Sequence, residues 1–216
     1  MSRNSTLSLK QNWKALWASS SKRLLTLSGS VIVAAILSAM PMFFQAIENR
    51  PGLQLHDFVL ARIPAANVSI CIFLIIWGMG LYTLIRAIKQ PLIYTKYVWL
   101  YIMICVARIL TITLVPLAAP AHLVELVDPL TGVFYGHATI TKDLFFSGHT
   151  ATLVAMCFCL PKKGERIAAA VASVIVGILL LVQHVHYTID VLAAPVFVFA
   201  LNKILEATLF AENHIE

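Results

Sequence analysis

The sequence IAAAVASVIVGILLLVQHVHYTIDVLAAPVFVFAL occupies residues 167 to 201 and decides how the chain folds. Two apolar runs, 167 to 185 and 187 to 208, nearly adjoin, and HVHYTIDV at 184 to 191 is the polar break between them. Each run has about the 20 residues that a helix needs to cross a bilayer. Two membrane spans that meet at so short a break form a tight hairpin, so we expect residues 184 to 191 to lie at a membrane face.

The whole chain is as apolar as a membrane protein. Of its 216 residues, 60% are hydrophobic and 12% are charged, against about 45–50% and 25% in soluble domains. Further apolar runs at 27–47, 66–86, 95–117 and 146–161 give six predicted spans, too many for a cleaved signal peptide with a soluble remainder. We predict an all-α polytopic membrane protein with a cytoplasmic or interfacial segment 1–26, a six-helix transmembrane catalytic domain 27–208 and a cytoplasmic tail 209–216.

Basic residues are distributed unevenly between the two sides of these spans. Twelve of the 16 lysines and arginines fall in the N-terminal segment, in two alternate loops and near the C-terminus. Cytoplasmic loops carry such an excess, so we expect both termini in the cytoplasm and residues 184 to 191 on the outward face, with compact loops favouring a bacterial plasma membrane. Orientation accounts for the net charge of +6, and nucleic acid is not a predicted partner. For segment 1–26, which carries Trp13 and Trp17, we favour an interfacial helix over a loose tail.

No metal or cofactor is predicted. The cysteines lie inside apolar runs, where they are typical of small buried hydrophobic residues, and they lack the ligand pattern of a zinc site. The chain has neither a Walker-type phosphate loop nor a cluster of acidic metal ligands. The four cysteines are Cys71, Cys105, Cys157 and Cys159.

Two further polar segments should meet the hairpin at the outward face. DLFFSGHT, residues 143 to 150, opens the predicted span at 146–161, and ARILTITLVP, residues 107 to 116, belongs to the outer half of the span at 95–117. Arg108 in the second segment is costly at that depth unless it faces the bundle interior, water or an anion. The predicted topology therefore gathers three polar clusters at one face.

The residue types in these clusters suit phosphoryl transfer. His186 and Asp190 are four residues apart, which on a helix lets the carboxylate accept a proton from one imidazole nitrogen and leave the other basic. His149 supplies a second imidazole, and Ser147 with Gly148 opens a helix whose N-terminal N–H groups favour an anion. One imidazole would attack phosphorus, and the other would handle the leaving-group proton.

DLFFSGHTATL and QHVHYTIDV resemble two signature blocks of the sphingomyelin synthase family, within the type-2 phosphatidic acid phosphatase (PAP2) superfamily. RILTITLVP is similar to that family's arginine–threonine block, and RPGLQLHD at 50 to 57 is a faint match to its first outward-loop block. The resemblance implies a six-helix PAP2-like bundle with outward-facing histidines. It also implies that His186 is the nucleophile, Asp190 its orienting partner and His149 the general acid and base.

Two departures from the family pattern bear on function. Thr141 and Lys142 replace the cysteine and glycine that precede the aspartate in the synthases, which leaves the headgroup open. The arginine that the superfamily's phosphatases carry upstream of their second histidine is absent, and Leu180 lies in that region. The second departure favours the synthase-like branch.

Several residues near these clusters have two interpretations. Asp143 either caps the helix at 146–161 or joins Ser147, Gly148 and Arg108 at the substrate phosphate, and Arg108 is either a phosphate clamp or half of a buried structural pair. His184 lies on a different helical face from His186 and receives a supporting role. Structural or solvated roles are expected for Tyr187, Thr188, His56, His122, His137 and His214, with Gly78 and Gly80 at close helix contacts.

The predicted function is a lipid phosphotransferase that moves a phosphoryl headgroup from a glycerophospholipid to a lipid alcohol such as ceramide or diacylglycerol. If water replaces the alcohol, the same site is a lipid phosphate phosphatase or a phospholipase C-type hydrolase. A proton-relaying transporter is more distant, because its ionisable residues should line a path between the faces, and a catalytically silent scaffold is equally distant. The expected partners are a phospholipid donor and a lipid acceptor, and the oligomeric state stays open.

Overall fold

The computed structural model describes residues 8–126 and 140–211, and in those residues the chain forms seven α-helices. The predictions for His137 and His214 fall outside the described residues, as does most of the tail at 209–216. The described part contains no β-strand beyond one isolated bridge between Leu53 and Leu117. The helices are α1 (Leu9–Ala18), α2 (Ser20–Glu48), α3 (Ser69–Lys89), α4 (Pro91–Leu114), α5 (Gly148–Cys159), α6 (Lys163–Val182) and α7 (Thr188–Thr208), with a 3-10 turn at Leu60–Arg62.

Five helices, namely α2, α3, α4, α6 and α7, are long and apolar enough to cross a membrane. Their outward surfaces carry large apolar side chains that would be unfavourable in water and suit lipid. The chain is therefore an integral membrane protein, as its composition predicts. Among the exposed side chains are Val31, Ile70, Leu74, Leu81, Val174, Leu192 and Val196.

The sixth predicted span, 146–161, is a shorter element than expected. Its helix, α5, has 12 residues, about 18 Å at 1.5 Å per residue, against about 30 Å for the hydrocarbon core. It begins only after its N-cap Ser147 and ends before Pro161, which follows the C-cap Leu160. Because α5 packs against α4, α6 and α7, Ala151 and Ala155 are fully buried. The predicted count of six spans is not confirmed.

The helices alternate in direction, so the bundle has two distinct ends. We call the end where α5 and α7 begin the site end. There, Glu48 at the end of α2 accepts a hydrogen bond of 2.9 Å from the N–H of Thr141, ahead of α5. At the opposite end, Nε of Arg86 on α3 lies 2.9 Å from Oε1 of Glu165 on α6. The polar segments singled out in the sequence therefore converge at one end.

The N-terminal segment is helical from Leu9 to Ala18 and is attached to the end of α3. The indole N–H of Trp13 donates to the carbonyl of Ile88 at 2.8 Å, and the side-chain amide of Asn12 donates to the carbonyl of Lys89 at 2.9 Å. Both acceptors lie in the last turn of α3, whose carbonyls have no partner within the helix. A helix is thus present here, and its place at the membrane interface stays a prediction.

The prediction that Gly78 and Gly80 lie at close helix contacts is wrong. A Cβ built on either glycine would meet no atom within 4 Å. The close contact lies instead at Gly29 of α2, where a Cβ would come within 2.9 Å of Nε1 of Trp99 on α4. Gly29 therefore allows α2 to pack tightly on α4, whereas Gly78 and Gly80 face open space.

Candidate active site

The turn between α6 and α7 places His186 beside Asp190. Nδ1 of His186 lies 3.4 Å from Oδ2 of Asp190, and the same oxygen accepts a hydrogen bond of 3.0 Å from the N–H of Tyr187. His186 is 3% exposed and Asp190 is 0% exposed. The predicted proximity is present, but His186 precedes α7, so the contact spans the helix N-terminus instead of lying within one helical turn. With Nδ1–H donated to the carboxylate, Nε2 carries the lone pair.

His149, in the first turn of α5, lies across from His186. Their ring centroids are 6.4 Å apart, and the ring planes are inclined by 67°. The N–H of Ser147 donates to the carbonyl of Asp190 at 3.0 Å, which fixes the start of α5 against the start of α7. The two imidazole rings therefore lie side by side at the site end.

Arg108 is buried and forms an ion pair with the partly buried Asp143. Its Nη2 donates to Oδ1 of Asp143, its Nε donates to the carbonyl of Phe146 at 2.9 Å, and the residue is 7% exposed. Of the two roles expected for Arg108, the buried pair is present in the structure. A contact between Arg108 and a substrate phosphate stays a prediction.

The carboxyl of Asp143 is held in its ionised form. Burial opposes ionisation, but the Arg108 guanidinium outweighs it and keeps the pKa of Asp143 below its usual value, with His186 and His149 acting in the same direction. An ionised carboxylate repels phosphate. The position of Asp143 beside the guanidinium therefore favours a role as the counter-ion of Arg108 over the expected contact between Asp143 and the substrate phosphate. The alternative in which Asp143 caps α5 is wrong, because Ser147 is the N-cap.

The N-terminus of α5 is shaped by Ser147 and Gly148. Oγ of the fully buried Ser147 accepts from the N–H of Thr150 at 3.4 Å, while its own N–H is already donated to Asp190. Ser147 therefore supports the helix and offers no N–H to an anion. A Cβ on Gly148 would lie 2.5 Å from Nη1 of Arg108, so glycine is required for the guanidinium to reach this helix end.

Two adjoining cavities open beside these residues. The first, about 190 Å³, is lined by Arg108, Asp143, Gly148 and His149 together with apolar side chains. The second, about 500 Å³ and largely apolar, lies between α2, α3, α4 and α5. Both are lined by Ile76, Tyr101 and Thr152. The polar cavity at the site and the apolar cavity in the bundle interior are therefore adjacent.

Asp57 supports the site from a distant loop, which the sequence indicated only through the faint match that ends on it. Its Oδ2 accepts from the N–H of Thr188 at 2.6 Å, and its Oδ1 accepts from the hydroxyl of Thr188 at 3.0 Å. Burial opposes ionisation, but hydrogen bonds from Thr188, Leu60 and Val59 outweigh it and lower the pKa of Asp57. The loop before α3 thus caps the helix that carries Asp190.

Two more buried polar side chains fasten loops to the same turn. The hydroxyl of Tyr187 donates to the carbonyl of Ala118 at 3.0 Å and accepts from the N–H of Leu55 at 3.2 Å. Nε2 of Gln183, a residue with no exposed surface, donates to Oγ of Ser69 at 2.6 Å. Tyr187 has the supporting role expected of it, and nothing in the local sequence marked Gln183.

Lys142, one of the departures from the family pattern, is directed away from the histidines. Its Nζ donates to the carbonyls of Glu48 at 2.7 Å and Arg50 at 2.6 Å. These carbonyls belong to the C-terminal end of α2, where a cation is favourable. Lys142 therefore anchors the segment ahead of α5.

A family model described as PAP2 superfamily C-terminal matches residues 142–207. This match supports membership of the chain in the PAP2 superfamily. The matched segment contains His149, His186 and Asp190, and Arg108 precedes it. A match of this kind points to an enzyme of the lipid phosphatase or phosphotransferase type. No curated protein matches the chain.

Proposed function

We propose that the chain is a membrane lipid phosphotransferase of the sphingomyelin synthase type, which moves a phosphoryl headgroup from a glycerophospholipid to a lipid alcohol. The observation that carries the proposal is the buried contact between His186 and Asp190, with the ring of His149 6.4 Å from that of His186. Two imidazoles, one of them oriented by a carboxylate, are the groups that a phosphohistidine mechanism requires.

In the first step, Nε2 of His186 attacks phosphorus of the donor lipid. A P–N bond forms, the P–O bond to the diacylglycerol oxygen breaks, and protonated His149 gives that oxygen its proton. Asp190 accepts the Nδ1–H bond throughout and stabilises the positive charge that develops on the imidazole. Arg108 and the N–H of Gly148 lie at the N-terminus of α5, where negative charge on the phosphoryl oxygens is favourable.

In the second step, the hydroxyl of the acceptor lipid gives its proton to His149, which is now neutral. The hydroxyl oxygen bonds to phosphorus, the P–N bond breaks, and Nε2 of His186 regains its lone pair. The headgroup has then moved between two alcohols, and both histidines have returned to their initial protonation states. The cycle therefore needs no net acid or base.

The apolar cavity favours lipid substrates over soluble phosphate esters. A cavity of about 500 Å³ lined by Trp77, Tyr97 and Met156 adjoins the polar cavity at His149. Such a volume suits a hydrocarbon chain, since ligand pockets are about 300–1,000 Å³ and mostly apolar. An acyl or sphingoid chain in this cavity would hold the reacting oxygen near the histidines.

Hydrolysis is the second candidate function. The family model is described only as PAP2 superfamily C-terminal, and it supports a phosphatase as well as a transferase. If water takes the place of the acceptor hydroxyl, His149 deprotonates that water, and the second step releases a phosphate or phosphorylated headgroup. The site geometry serves both reactions, so the acceptor decides between them.

The membrane orientation is part of the proposal. We infer that both termini lie in the cytoplasm and that the site end faces outward in a plasma membrane, because lysines and arginines concentrate at the opposite end. In this arrangement α5 completes the bundle as a sixth, enclosed membrane element. A protease-cleavable tag at either terminus of the full chain should resist protease added outside sealed right-side-out vesicles. Cleavage of the tag would contradict this orientation.

The activity is tested with the full chain in liposomes that contain a headgroup-labelled glycerophospholipid and either ceramide or diacylglycerol. Wild type should form a new labelled lipid, whereas His186→Ala and His149→Ala should not. His56→Ala is the matched control, because it removes an exposed imidazole from the same end of the bundle. Unchanged turnover in both site variants would refute the catalytic assignment. Labelled water-soluble product without a labelled lipid would select hydrolysis over transfer.

A further inference from the structure

The other histidine of the turn, His184, is enclosed between two loops of the site end. Its Nδ1 lies 3.0 Å from the carbonyl oxygen of Ala121, and its Nε2 lies 2.9 Å from the carbonyl oxygen of Ile63. The residue is 4% exposed and has a φ of 56°, in the left-handed region that few side chains adopt. Both ring nitrogens therefore face hydrogen-bond acceptors in a buried position.

The two acceptors define the protonation state of the ring. A carbonyl oxygen only accepts hydrogen bonds, and a neutral imidazole has a single N–H. A neutral ring would place a nitrogen lone pair against an oxygen lone pair at 2.9 or 3.0 Å in a buried site, which is unfavourable. The imidazolium, with two N–H groups, satisfies both contacts.

We propose that His184 is a doubly protonated imidazolium in the folded protein and acts as a positioning residue for His186. It binds the loop between α2 and α3 through Ile63 and the loop after α4 through Ala121. The first loop also carries Asp57, which caps α7. The second carries the carbonyl that Tyr187 binds. One cation thus joins both loops to the turn that orients His186 against Asp190.

The surroundings of His184 are compatible with a positive charge. The titratable groups that line the cavity of about 560 Å³ beside it are His56, Asp57, His122 and Tyr187. Of these, Asp57 is anionic, with a pKa held below its usual value by its hydrogen bonds to the backbone of Thr188 and Leu60, although burial opposes this. Protonation of His56 or His122 would oppose the charge on His184, and their exposure to solvent would weaken that effect.

The charge is tested by ¹⁵N NMR of the full chain labelled in histidine ring nitrogens, near neutral pH in detergent micelles. The resonances that disappear in His184→Asn should belong to a ring with two protonated nitrogens. Asparagine tolerates a positive φ, which makes it the suitable replacement, and His56→Asn is the control. If the two resonances that disappear in His184→Asn belong to one protonated and one unprotonated nitrogen, the proposal is overturned. If His184→Asn does not fold, the spectrum of His149→Ala decides, because this variant lacks the other ring that the mechanism protonates: a doubly protonated ring should remain, and its absence would equally overturn the proposal.

The positioning role rests on the proposed function and has its own kinetic test, independent of the NMR result. His184→Asn should lower kcat about tenfold with KM little changed, since misplaced reacting groups lose rate rather than binding. His184→Arg, which keeps a cation with several donors, should recover part of that loss, and His56→Asn should match wild type. Equal losses in the Asn and Arg variants, or none in either, would refute positioning by the cation. An inactive wild type with an imidazolium at His184 would instead refute the proposed function alone.

Discussion

Replacement of Asp190 by asparagine separates the charge of this residue from its shape. Oδ2 of Asp190 contacts both Nδ1 of His186 and the N–H of Tyr187, whereas the buried Oδ1 has no hydrogen-bond partner within the described residues. The carbonyl oxygen of asparagine can therefore take the place of Oδ2 and keep both contacts, with its NH₂ group at the position of Oδ1. What Asp190→Asn loses is the negative charge opposite the imidazole.

The size of this loss follows from the difference between charged and neutral hydrogen bonds. Bonds to charged groups contribute about 1.5–3 kcal/mol and neutral ones about 0.5–1.5 kcal/mol. The change of about 1–2 kcal/mol in stabilisation of the developing imidazolium corresponds to a decrease in kcat of about 5- to 30-fold, at 1.36 kcal/mol for each factor of ten.

The assay is headgroup transfer in liposomes at saturating donor and acceptor, with protein quantity and folding checked by size-exclusion chromatography. Glu206→Gln is the matched control, because it also converts a carboxylate of α7 to an amide, at the end of the helix far from His186. A kcat for Asp190→Asn within twofold of wild type would refute the role given to the charge. A loss near 10⁴-fold would indicate that the amide donates to Nδ1 and imposes the wrong tautomer, contrary to the geometry described above.

Three further predictions concern the supports of the site. Gly148→Ala places a Cβ 2.5 Å from Nη1 of Arg108, so it should lower transfer activity and reduce the free energy of unfolding by about 1–3 kcal/mol. Gly78→Ala should leave the free energy of unfolding unchanged or raise it by up to about 1 kcal/mol. Thermal unfolding in detergent measures the stability of both variants. Asp57→Asn should cost about 1 kcal/mol at pH 6 through the weakened cap of α7. A depressed pKa contributes stability above the unfolded value of 3.8 that is lost as pH falls through the lower folded value, so the difference from wild type should shrink near pH 3. Arg108→Gln should lower the free energy of unfolding by about 1–3 kcal/mol because the partly buried carboxylate of Asp143 loses its partner, and Asp143→Asn added to it should restore stability without restoring transfer.

Each of these predictions has a result that contradicts it. Equal unfolding temperatures for Gly148→Ala and wild type would show that the guanidinium has room to move. A constant difference between Asp57→Asn and wild type at pH 6 and pH 3 would show that the carboxylate charge does not contribute to the cap. Recovery of transfer in the Arg108 and Asp143 double variant would mean that Arg108 has only the structural role.

Features encoded in contiguous residues were predictable from the sequence. The length of an apolar run is a local property, and it located the five long helices to within a few residues at most ends. The contact between His186 and Asp190 was predictable because they are four positions apart, although the contact crosses the start of α7 instead of lying within the helix. The meeting of His149 with His186 followed from topology alone, since successive spans alternate in direction.

Features that depend on loop conformation were not predictable. Asp57 binds Thr188 across a sequence separation of 131 positions, and Glu48 binds Thr141 across a separation of 93. No local sequence pattern specifies such pairs. The apolar run at 146–161 suggested a span because Phe146 and Leu160, at its two ends, are as apolar as the helix between them. The cap at Ser147 shortens that helix and leaves the preceding residues to contact Arg108 and Thr111.

The measurement that tests the central claim most directly is the capture of a headgroup-phosphate on His186. A donor with a nitrophenolate leaving group needs no proton from His149 to leave, whereas release of the group to an alcohol still needs His149 as a base. His149→Ala incubated with this donor, radiolabelled at phosphorus, should therefore accumulate label on the protein in an acid-labile, alkali-stable form. Peptide mapping should place the label on His186, and the double variant His149→Ala with His186→Ala should remain unlabelled. Label on a different residue, or equal labelling of the double variant, would contradict the account.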